Sequence, residues 1–211
     1  MKGRILVAYA TRYGSTREVA ERVADTLRAA GLEVDCRAME DVDAIDDYRG
    51  FVLGAPFYYG HWPRPARRFL TRFCTTLGHR DVAVFATGQV DVRQPMSEVS
   101  AQIEALTARY DWLHPIAVGM FGGRWDPALL TGWHRVLRRL PASPMRVLPA
   151  SDLRSWPDIE KWAGTVATKL KSRAAQPNTP TPEPGRVSRS GASLSMIGEY
   201  LADQQRARRK G

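Results

Sequence analysis

The sequence is poor in cysteine and has no long apolar run, and both absences narrow the class of protein. Only two of its 211 residues are cysteines, Cys36 and Cys74, too few for a disulfide scaffold and typical of a reducing compartment. They form no Cys-x-x-Cys pair, so no metal site is expected. No segment approaches the roughly 18 apolar residues of a spanning helix, and the first ten residues lack a signal-peptide pattern. We therefore expect a cytoplasmic protein.

Charge is distributed unevenly along the chain. The 31 basic and 22 acidic residues give a formal net charge of +9. Residues 1–113 are neutral overall, whereas residues 114–173 hold ten basic and four acidic side chains. Such an excess indicates an anionic partner, and a membrane surface, an acidic substrate and an acidic protein all fit. Because no nucleic-acid recognition motif accompanies the charge, no nucleic acid is expected as a partner.

Short apolar runs alternate with amphipathic segments over the first 173 residues. The runs predict five strands, at 4–10, 32–39, 51–55, 82–86 and 116–121. The spacing of apolar residues by three and four predicts helices at 15–30, 65–77, 96–110 and 156–171. This alternation predicts an α/β fold: a doubly wound, five-stranded parallel sheet in the order 2-1-3-4-5.

Two segments lie outside this alternation. Residues 124–150 form an insertion after strand five, with a helix predicted over 126–140. Residues 174–211 begin as a proline-rich linker and end in a basic tail, which we expect to be disordered; an amphipathic docking helix over 194–201 is the alternative. The chain is thus expected to comprise one domain over 1–173 and a tail.

The loop after strand one has the composition of an anion site. Its residues are Thr11, Arg12, Tyr13, Gly14, Ser15 and Thr16. It leads into a helix, whose first N–H groups and dipole favour an anion. Thr11, Ser15 and Thr16 add hydroxyl donors, and Gly14 permits a close approach or a positive φ. No P-loop lysine is present, so the loop suits a single phosphate monoester. The alternative is a capping box, with Thr11 or Ser15 as the cap and Glu18 completing it.

Two later loops add an aromatic cluster and polar groups at the same predicted sheet edge. The loop after strand three contains Phe57, Tyr58, Tyr59, Gly60, His61 and Trp62. Such a cluster fits a flat heteroaromatic ring, although Phe57 or Trp62 alone could simply pack against the sheet edge. The loop after strand four contains Thr87, Gly88 and Gln89, which offer polar groups to the edge of the same ring. Ligands bind at the carboxyl ends of parallel strands, so we expect one pocket formed by all three loops.

Three stretches of the chain resemble a known family. They are A-T-R-Y-G-S-T-R-E-V-A (10–20), G-A-P-F-Y-Y-G-H-W (54–62) and D-L-R-S-W-P-D-I-E-K-W-A (152–163). They resemble the menaquinone-dependent protoporphyrinogen oxidases of flavodoxin type, over about residues 3–172. The resemblance implies a flavodoxin-like fold, FMN held by the three loops, a porphyrinogen or other anionic small-molecule substrate, and a quinone acceptor. Tyr13 departs from the hydroxyl residue common at its position, which removes one possible phosphate donor.

The function implied by the resemblance is an FMN-dependent oxidoreductase of porphyrin and heme biosynthesis, which passes electrons from a reduced substrate to a quinone. His61 is the candidate proton-transfer group, because it lies beside the expected ring site and histidine titrates near neutral pH. Two alternatives stay open. One is a one-electron carrier of flavodoxin type, and the other is a flavin-binding interaction protein.

Two arginine clusters each have two interpretations. The resemblance associates the insertion with membrane or quinone access, and its predicted helix is basic, amphipathic and contains tryptophan. The insertion could contact an anionic membrane through residues 124–146, at the inner face of the plasma membrane. Alternatively, its helix packs on the sheet edge and its arginines are solvated. The second cluster comprises Arg64, Arg67, Arg68 and Arg72. These arginines could pair with substrate carboxylates or form a solvated helix face.

Overall fold

Strands and helices alternate along the protein. The computed structural model describes residues 3–57, 61–88, 109–126, 128 and 150–175. The strands are β1 (Arg4–Tyr9), β2 (Val34–Ala38), β3 (Tyr48–Pro56), β4 (Asp81–Gly88), β5 (Ala117–Gly122), β6 (Arg124–Trp125) and β7 (Ser151–Asp152). The helices are α1 (Ser15–Ala29), α2 (Arg64–Arg72), α3 (Cys74–Gly78) and α4 (Trp156–Ala175), with a short 3-10 helix at Met39–Asp41. No helix in these ranges is long and apolar enough to cross a bilayer.

Strands β1 to β5 form one parallel sheet, which confirms the predicted fold class. Their order is β2-β1-β3-β4-β5. In the middle of the sheet Val7 of β1 pairs with Cys36 on one side and Val52 on the other. Since every strand runs in the same direction, the loops after β1, β3 and β4 leave the sheet at one edge. In this topology that edge is where ligands bind.

Helices cover both faces of the sheet and bury an apolar cluster on each. On one face α2 and α3 contribute Phe69, Leu70 and Leu77. On the other face α1 and α4 contribute residues such as Leu27 and Ile159, both fully buried. Burial of such side chains contributes about 1.5–3 kcal/mol each. The double coverage explains why the central strands read as nearly continuous apolar runs.

Several predicted boundaries differ from the structure by one to four residues, and two of the differences have a visible cause. The helix predicted over 65–77 is two helices, because Phe73 leaves helical geometry (φ −114°, ψ 16°) as its ring packs edge-on against Phe69 at 4.9 Å. Strand β3 begins at Tyr48 rather than at residue 51. Arg49 interrupts the apolar pattern at the start of this strand. Its guanidinium donates to the carbonyls of Gly3 and Leu170, while its backbone lies in the strand.

Parts of the prediction fall on residues outside the described ranges. These are nearly all of the helix predicted over 96–110, nearly all of the insertion helix over 126–140, and the tail from residue 176 onward. The division into a domain over 1–173 and a tail therefore stays a prediction. The structure adds one element that the sequence did not predict, the antiparallel pair β6 and β7, in which Arg124 lies opposite Asp152. A strand of two residues is too short to show an alternation of apolar and polar residues in the sequence.

Candidate functional site

Helix α1 begins directly after the first loop and has no side-chain cap. Gly14 is its N-cap residue, with φ 84° in the left-handed region that glycine tolerates. Thr11 Oγ1 accepts the N–H of Gly14 (3.0 Å) and so closes the loop instead of capping the helix. The capping-box alternative is therefore wrong. The first intrahelical bond runs from Glu18 N to Gly14 O, so the three N–H groups before it point to an external acceptor.

The space above this loop is open. Among the described residues, a Cβ on Gly14 would meet no atom within 4 Å. The positive end of the α1 dipole faces this space together with the first-turn N–H groups. Ser15 Oγ accepts the N–H of Arg124 (3.1 Å), so the hydroxyl proton of Ser15 stays available for a ligand. The hydroxyl of Thr11 likewise keeps its own proton. The loop therefore offers N–H and O–H donors to an anion.

A buried pair of hydroxyls joins the first loop to the third. Thr16 and Thr87 are each 2% exposed, and their Oγ1 atoms lie 2.7 Å apart. One hydroxyl donates to the other, which leaves one proton of the pair for a further acceptor. The N–H of Phe57 donates to the carbonyl of Thr87 (2.8 Å) and joins the second loop to the third. The structure thus links all three loops at one edge of the sheet.

The aromatic residues of the second loop differ in where they lie. Phe57 is half-buried and packs against the cluster on the α2 side of the sheet. Trp62 is 2% exposed within that cluster, and its Nε1 has no hydrogen-bond partner among the described residues. Trp62 is therefore a core residue, as the packing alternative predicts. In the first loop, the Arg12 guanidinium lies 5.8 Å from the ring centre of Tyr13.

His61 is exposed and contacts an arginine from a distant part of the chain. Its Nδ1 lies 2.6 Å from Nη1 of Arg109. Since a guanidinium only donates, Nδ1 is the acceptor and the ring proton is assigned to Nε2. His61 is thus a hydrogen-bond donor at Nε2. Acid or base catalysis by His61 stays a prediction, and it would require the contact with Arg109 to break.

An ion-pair network anchors the two ends of the insertion beside α1. We call residues 123–126 and 150–154 the insertion stem. Arg154, whose side chain is 4% exposed, donates to Glu18 (2.6 Å) and to both carboxylate oxygens of Asp152 (2.8 and 2.6 Å). Arg124 lies 3.6 Å from Glu18 and 2.9 Å from Asp126. The hydrogen bond from Arg154 lowers the pKa of Asp152. Two arginines thus offset the charge of Glu18, which would otherwise repel an anion at the start of α1.

The family of the chain follows from comparison with known proteins. A sequence model described as a flavodoxin domain matches residues 6–143. The chain belongs to the flavodoxin-domain family. This family binds FMN, which is therefore the cofactor of this flavodoxin domain.

Similar proteins include curated enzymes and solved structures. Protoporphyrinogen IX dehydrogenase [quinone] of Escherichia coli (strain K12) is 28% identical over 92 residues, 43% of this chain and 50% of the relative. The chain thus spans about half the length of the curated relatives it matches. A short-chain flavodoxin associated with a non-canonical PDU bacterial microcompartment is 18% identical, with a TM-score of 0.51 over 81% of this chain and 99% of that one. The flavodiiron protein from Giardia intestinalis is 11% identical, with a TM-score of 0.50 over 82% of this chain and 37% of that one. Both structures show the likeness of fold alone.

The site of this flavodoxin domain fits FMN on structural grounds. The open space above Gly14, the uncapped N–H groups of α1 and the hydroxyls beside them suit the phosphate monoester of FMN. The second and third loops, which are hydrogen-bonded to each other, lie at the same edge of the sheet, where they would hold the ring of FMN. Ten of the predicted site residues are described here: Thr11, Arg12, Tyr13, Gly14, Ser15, Thr16, Phe57, His61, Thr87 and Gly88. The other four, Tyr58, Tyr59, Gly60 and Gln89, lie outside the described residues.

Sequence reasoning assigned no role in the cofactor site to Arg109, Arg124 or Arg154. The stretch around Arg154 contributed to the family resemblance, but nothing local reveals that this side chain is buried against Glu18. The partners of Arg154 and Arg109 are 136 and 48 positions away in the chain, respectively. Only the folded arrangement brings these residues together.

Proposed function

We propose that the protein is an FMN-dependent oxidoreductase that takes electrons from a reduced anionic substrate, a porphyrinogen in the first instance, and passes them to a quinone. The observation that carries the proposal is the edge of the sheet at which the uncapped start of α1 is hydrogen-bonded to the third loop, which is in turn hydrogen-bonded to the second loop. The activity for which the Escherichia coli relative is named supports porphyrinogen and quinone as substrates. FMN, when bound, supplies the electron-accepting and electron-donating chemistry.

In this proposal the first loop binds the phosphate of FMN. The N–H groups of Ser15, Thr16 and Arg17 donate to the phosphate oxygens, as do the hydroxyls of Thr11 and Ser15. Gly14 keeps the space above the loop open. Arg12 and Tyr13 form its outer rim. The phosphate needs no lysine or arginine here, because helix N–H groups and the α1 dipole provide the positive potential.

The other two loops bind the ring. The residues proposed to hold its faces are Phe57, Tyr58, Tyr59 and Gly60. Those proposed to meet its polar edge are Thr87, Gly88 and Gln89. A Cβ on Gly88 would lie 3.4 Å from the Phe57 carbonyl, so the two loops already approach closely at this point. Such linked loops orient the ring and exclude water from one side of it.

The overall electron balance is simple. In each two-electron step the substrate loses two electrons and two protons, and the quinone gains both and becomes a quinol. His61 contributes its Nε2–H as a hydrogen-bond donor at the mouth of the site. Proton transfer through His61 requires Arg109 to move from Nδ1, since a neutral imidazole with its proton on Nε2 is a poor acid.

The test is turnover by purified protein whose visible spectrum is recorded first. We expect a flavin spectrum and, without oxygen, formation of fluorescent porphyrin from protoporphyrinogen IX that depends on a menaquinone analogue. Flavin without turnover would refute the oxidase and favour a one-electron carrier, which should also show two separate one-electron potentials in a reductive titration. Protein that takes up no added FMN would refute the proposal entirely.

A further inference from the structure

Four arginines give helix α2 one strongly basic face. Arg64, Arg67, Arg68 and Arg72 are exposed, and the pairs 64/67, 64/68 and 68/72 are three or four residues apart, so the members of each pair lie side by side on the helix. Like charges at these spacings destabilise a helix. The first turn of α2 has no acidic residue and no side-chain cap, so basic residues also lie at the positive end of the dipole. The face is electrostatically unfavourable in the free protein.

Three of these arginines have no counter-charge in the part of the chain that the structure describes. The guanidinium groups of Arg64, Arg67 and Arg68 form no hydrogen bond or ion pair there. Most other described arginines do, including Arg154 in the insertion stem. Arg72 differs from its neighbours, because its guanidinium donates to the carbonyls of residues 42 and 43 (3.4 and 2.8 Å). Arg72 is therefore fixed, and the other three guanidinium groups remain available to an external anion.

The basic face borders a groove. The groove has a volume of about 680 Å³ and lies between α2 and the 3-10 helix after β2, within the size range of small-molecule sites. Among the described residues that line it, Glu40 is the one with an acidic side chain, against the four arginines of α2. Its apolar lining consists of Met39, Val42, Pro65, Phe69 and Phe73. An apolar base with an arginine rim suits an apolar molecule with several carboxylates, which guanidinium groups can bind in a bidentate manner.

The groove lies at the same edge of the sheet as the FMN loops. The 3-10 helix follows the carboxyl end of β2, and α2 starts after the loop that follows β3. Arg64 comes three residues after His61 in the chain. A molecule whose carboxylates bind the start of α2 can therefore extend towards His61 and the edge of the sheet that bears the FMN loops.

We propose that the basic face of α2 binds the carboxylates of the reduced substrate, an apolar molecule that carries at least two of them. The proposal rests on the oxidoreductase function proposed above and assigns the substrate to this groove. Arg64, Arg67 and Arg68 pair with the carboxylates, which removes their mutual repulsion. Arg72 forms a fixed part of the wall.

The test compares two porphyrins that differ only in charge. FMN-loaded protein is titrated with protoporphyrin IX, which has two carboxylates, and with its dimethyl ester, which has none. The test variant is Arg64→Gln/Arg67→Gln/Arg68→Gln. The control variant, Arg80→Gln/Lys171→Gln/Arg173→Gln, loses the same charge at the opposite edge of the sheet. FMN affinity and thermal unfolding are measured for both.

We expect the test variant to bind protoporphyrin IX at least about tenfold more weakly, since each exposed charge-assisted pair contributes a few-fold. Its affinity for FMN and for the ester should not change, and the control variant should resemble the parent. Because the substitutions remove like-charge repulsion, the test variant should unfold at the same or a higher temperature. If it folds poorly, Arg64→Ala and Arg68→Ala are measured singly, each with an expected loss of a few-fold.

Three results would overturn the proposal. They are an unchanged affinity of the test variant for protoporphyrin IX, an equal loss in the test and control variants, and a parent protein that binds the ester as tightly as the acid. These results are separable from failure of the proposed function. A test variant that oxidises protoporphyrinogen IX with an unchanged KM would reject the groove and keep the oxidoreductase, whereas a parent without turnover would reject the oxidoreductase.

Discussion

Gly14 and Gly31 form a matched pair for testing where the phosphate of FMN binds. Both have left-handed backbone conformations (φ 84° and 82°), and a Cβ on either would meet no atom of the described part of the chain within 4 Å. Gly14 caps the start of α1, whereas Gly31 lies just beyond the other end of that helix. We predict that Gly14→Ala and Gly31→Ala lower stability by similar amounts, and that only Gly14→Ala weakens FMN binding.

The expected magnitudes follow from the backbone and from the open space above the first loop. A residue with a Cβ in the left-handed region costs about 1–2 kcal/mol, so both variants should lose about this much free energy of unfolding. At Gly14 the added methyl also enters the space through which the first-turn N–H groups would meet the phosphate. Loss of one charge-assisted hydrogen bond costs about 1.5–3 kcal/mol, which corresponds to roughly 10- to 150-fold weaker binding.

The assay is urea unfolding for stability and flavin fluorescence for affinity, with FMN and riboflavin as the two ligands. Riboflavin lacks the phosphate, so its Kd should be nearly the same for the parent and both variants. If Gly14→Ala weakens riboflavin as much as FMN, the methyl acts on the whole site and not on the phosphate. If FMN affinity is undiminished, the phosphate does not bind at the start of α1, and the reasoning from the uncapped helix fails.

Three further predictions concern charged and thiol groups. Arg154→Gln should cost about 1–2 kcal/mol of unfolding free energy in urea, because the guanidinium loses its charge-assisted hydrogen bonds to Asp152 and Glu18, whose side chains are nearly half exposed; it should also weaken FMN but not riboflavin, and adding Glu18→Gln should restore FMN affinity. Burial raises the pKa of Cys36 from 9.0 to about 11. Iodoacetamide at pH 8 should therefore alkylate Cys36 far more slowly in folded than in urea-unfolded protein, as mass spectrometry would measure. The stability that the neutral thiol contributes should be lost as the pH rises from 9.0 towards 11. Arg154 lowers the pKa of Asp152 from 3.8, so the ionised carboxylate stabilises the fold above that pH, and this stabilisation is lost as the pH falls below it. Acid unfolding of Asp152→Asn, followed by circular dichroism, should lack the loss of stability that comes from this carboxylate. An acid transition identical to that of the parent would contradict the prediction.

The fold could be predicted because its signals are local. The buried run Ile5–Ala8 and the helix after it show their periods within a few residues, and the alternation of such units restricts the topology to a parallel sheet. The position of Gly14 was equally readable, since a glycine directly before a helix suits a positive φ. The predictions were poorest where a polar side chain lies in a regular element, as Arg49 does in β3.

The contacts around the site could not be predicted because they join distant parts of the chain. The capping-box pattern at Ser15 and Glu18 was locally convincing, yet tertiary contacts redirect both residues. Ser15 accepts an N–H from Arg124, and Glu18 pairs with Arg154. A pattern of four residues cannot report which partners arrive from more than 100 positions away. The same limit explains why the contact of His61 with Arg109 had no sequence signal.

The arginines near this sheet edge differ in whether a carboxylate pairs with them, and this difference separates the side that binds the cofactor from the side proposed to bind the substrate. On the α1 side, Arg124 and Arg154 are neutralised by carboxylates, so they add little net charge beside the phosphate loop. On the α2 side, Arg64 and its neighbours have no such partners among the described residues. A phosphate held by helix N–H groups needs no arginine, whereas a diffusible substrate benefits from free charge that attracts it and pairs with it. A cluster of uncompensated charge therefore lies where a substrate would arrive, whereas on the cofactor side Arg12 is a single arginine with no carboxylate partner among the described residues.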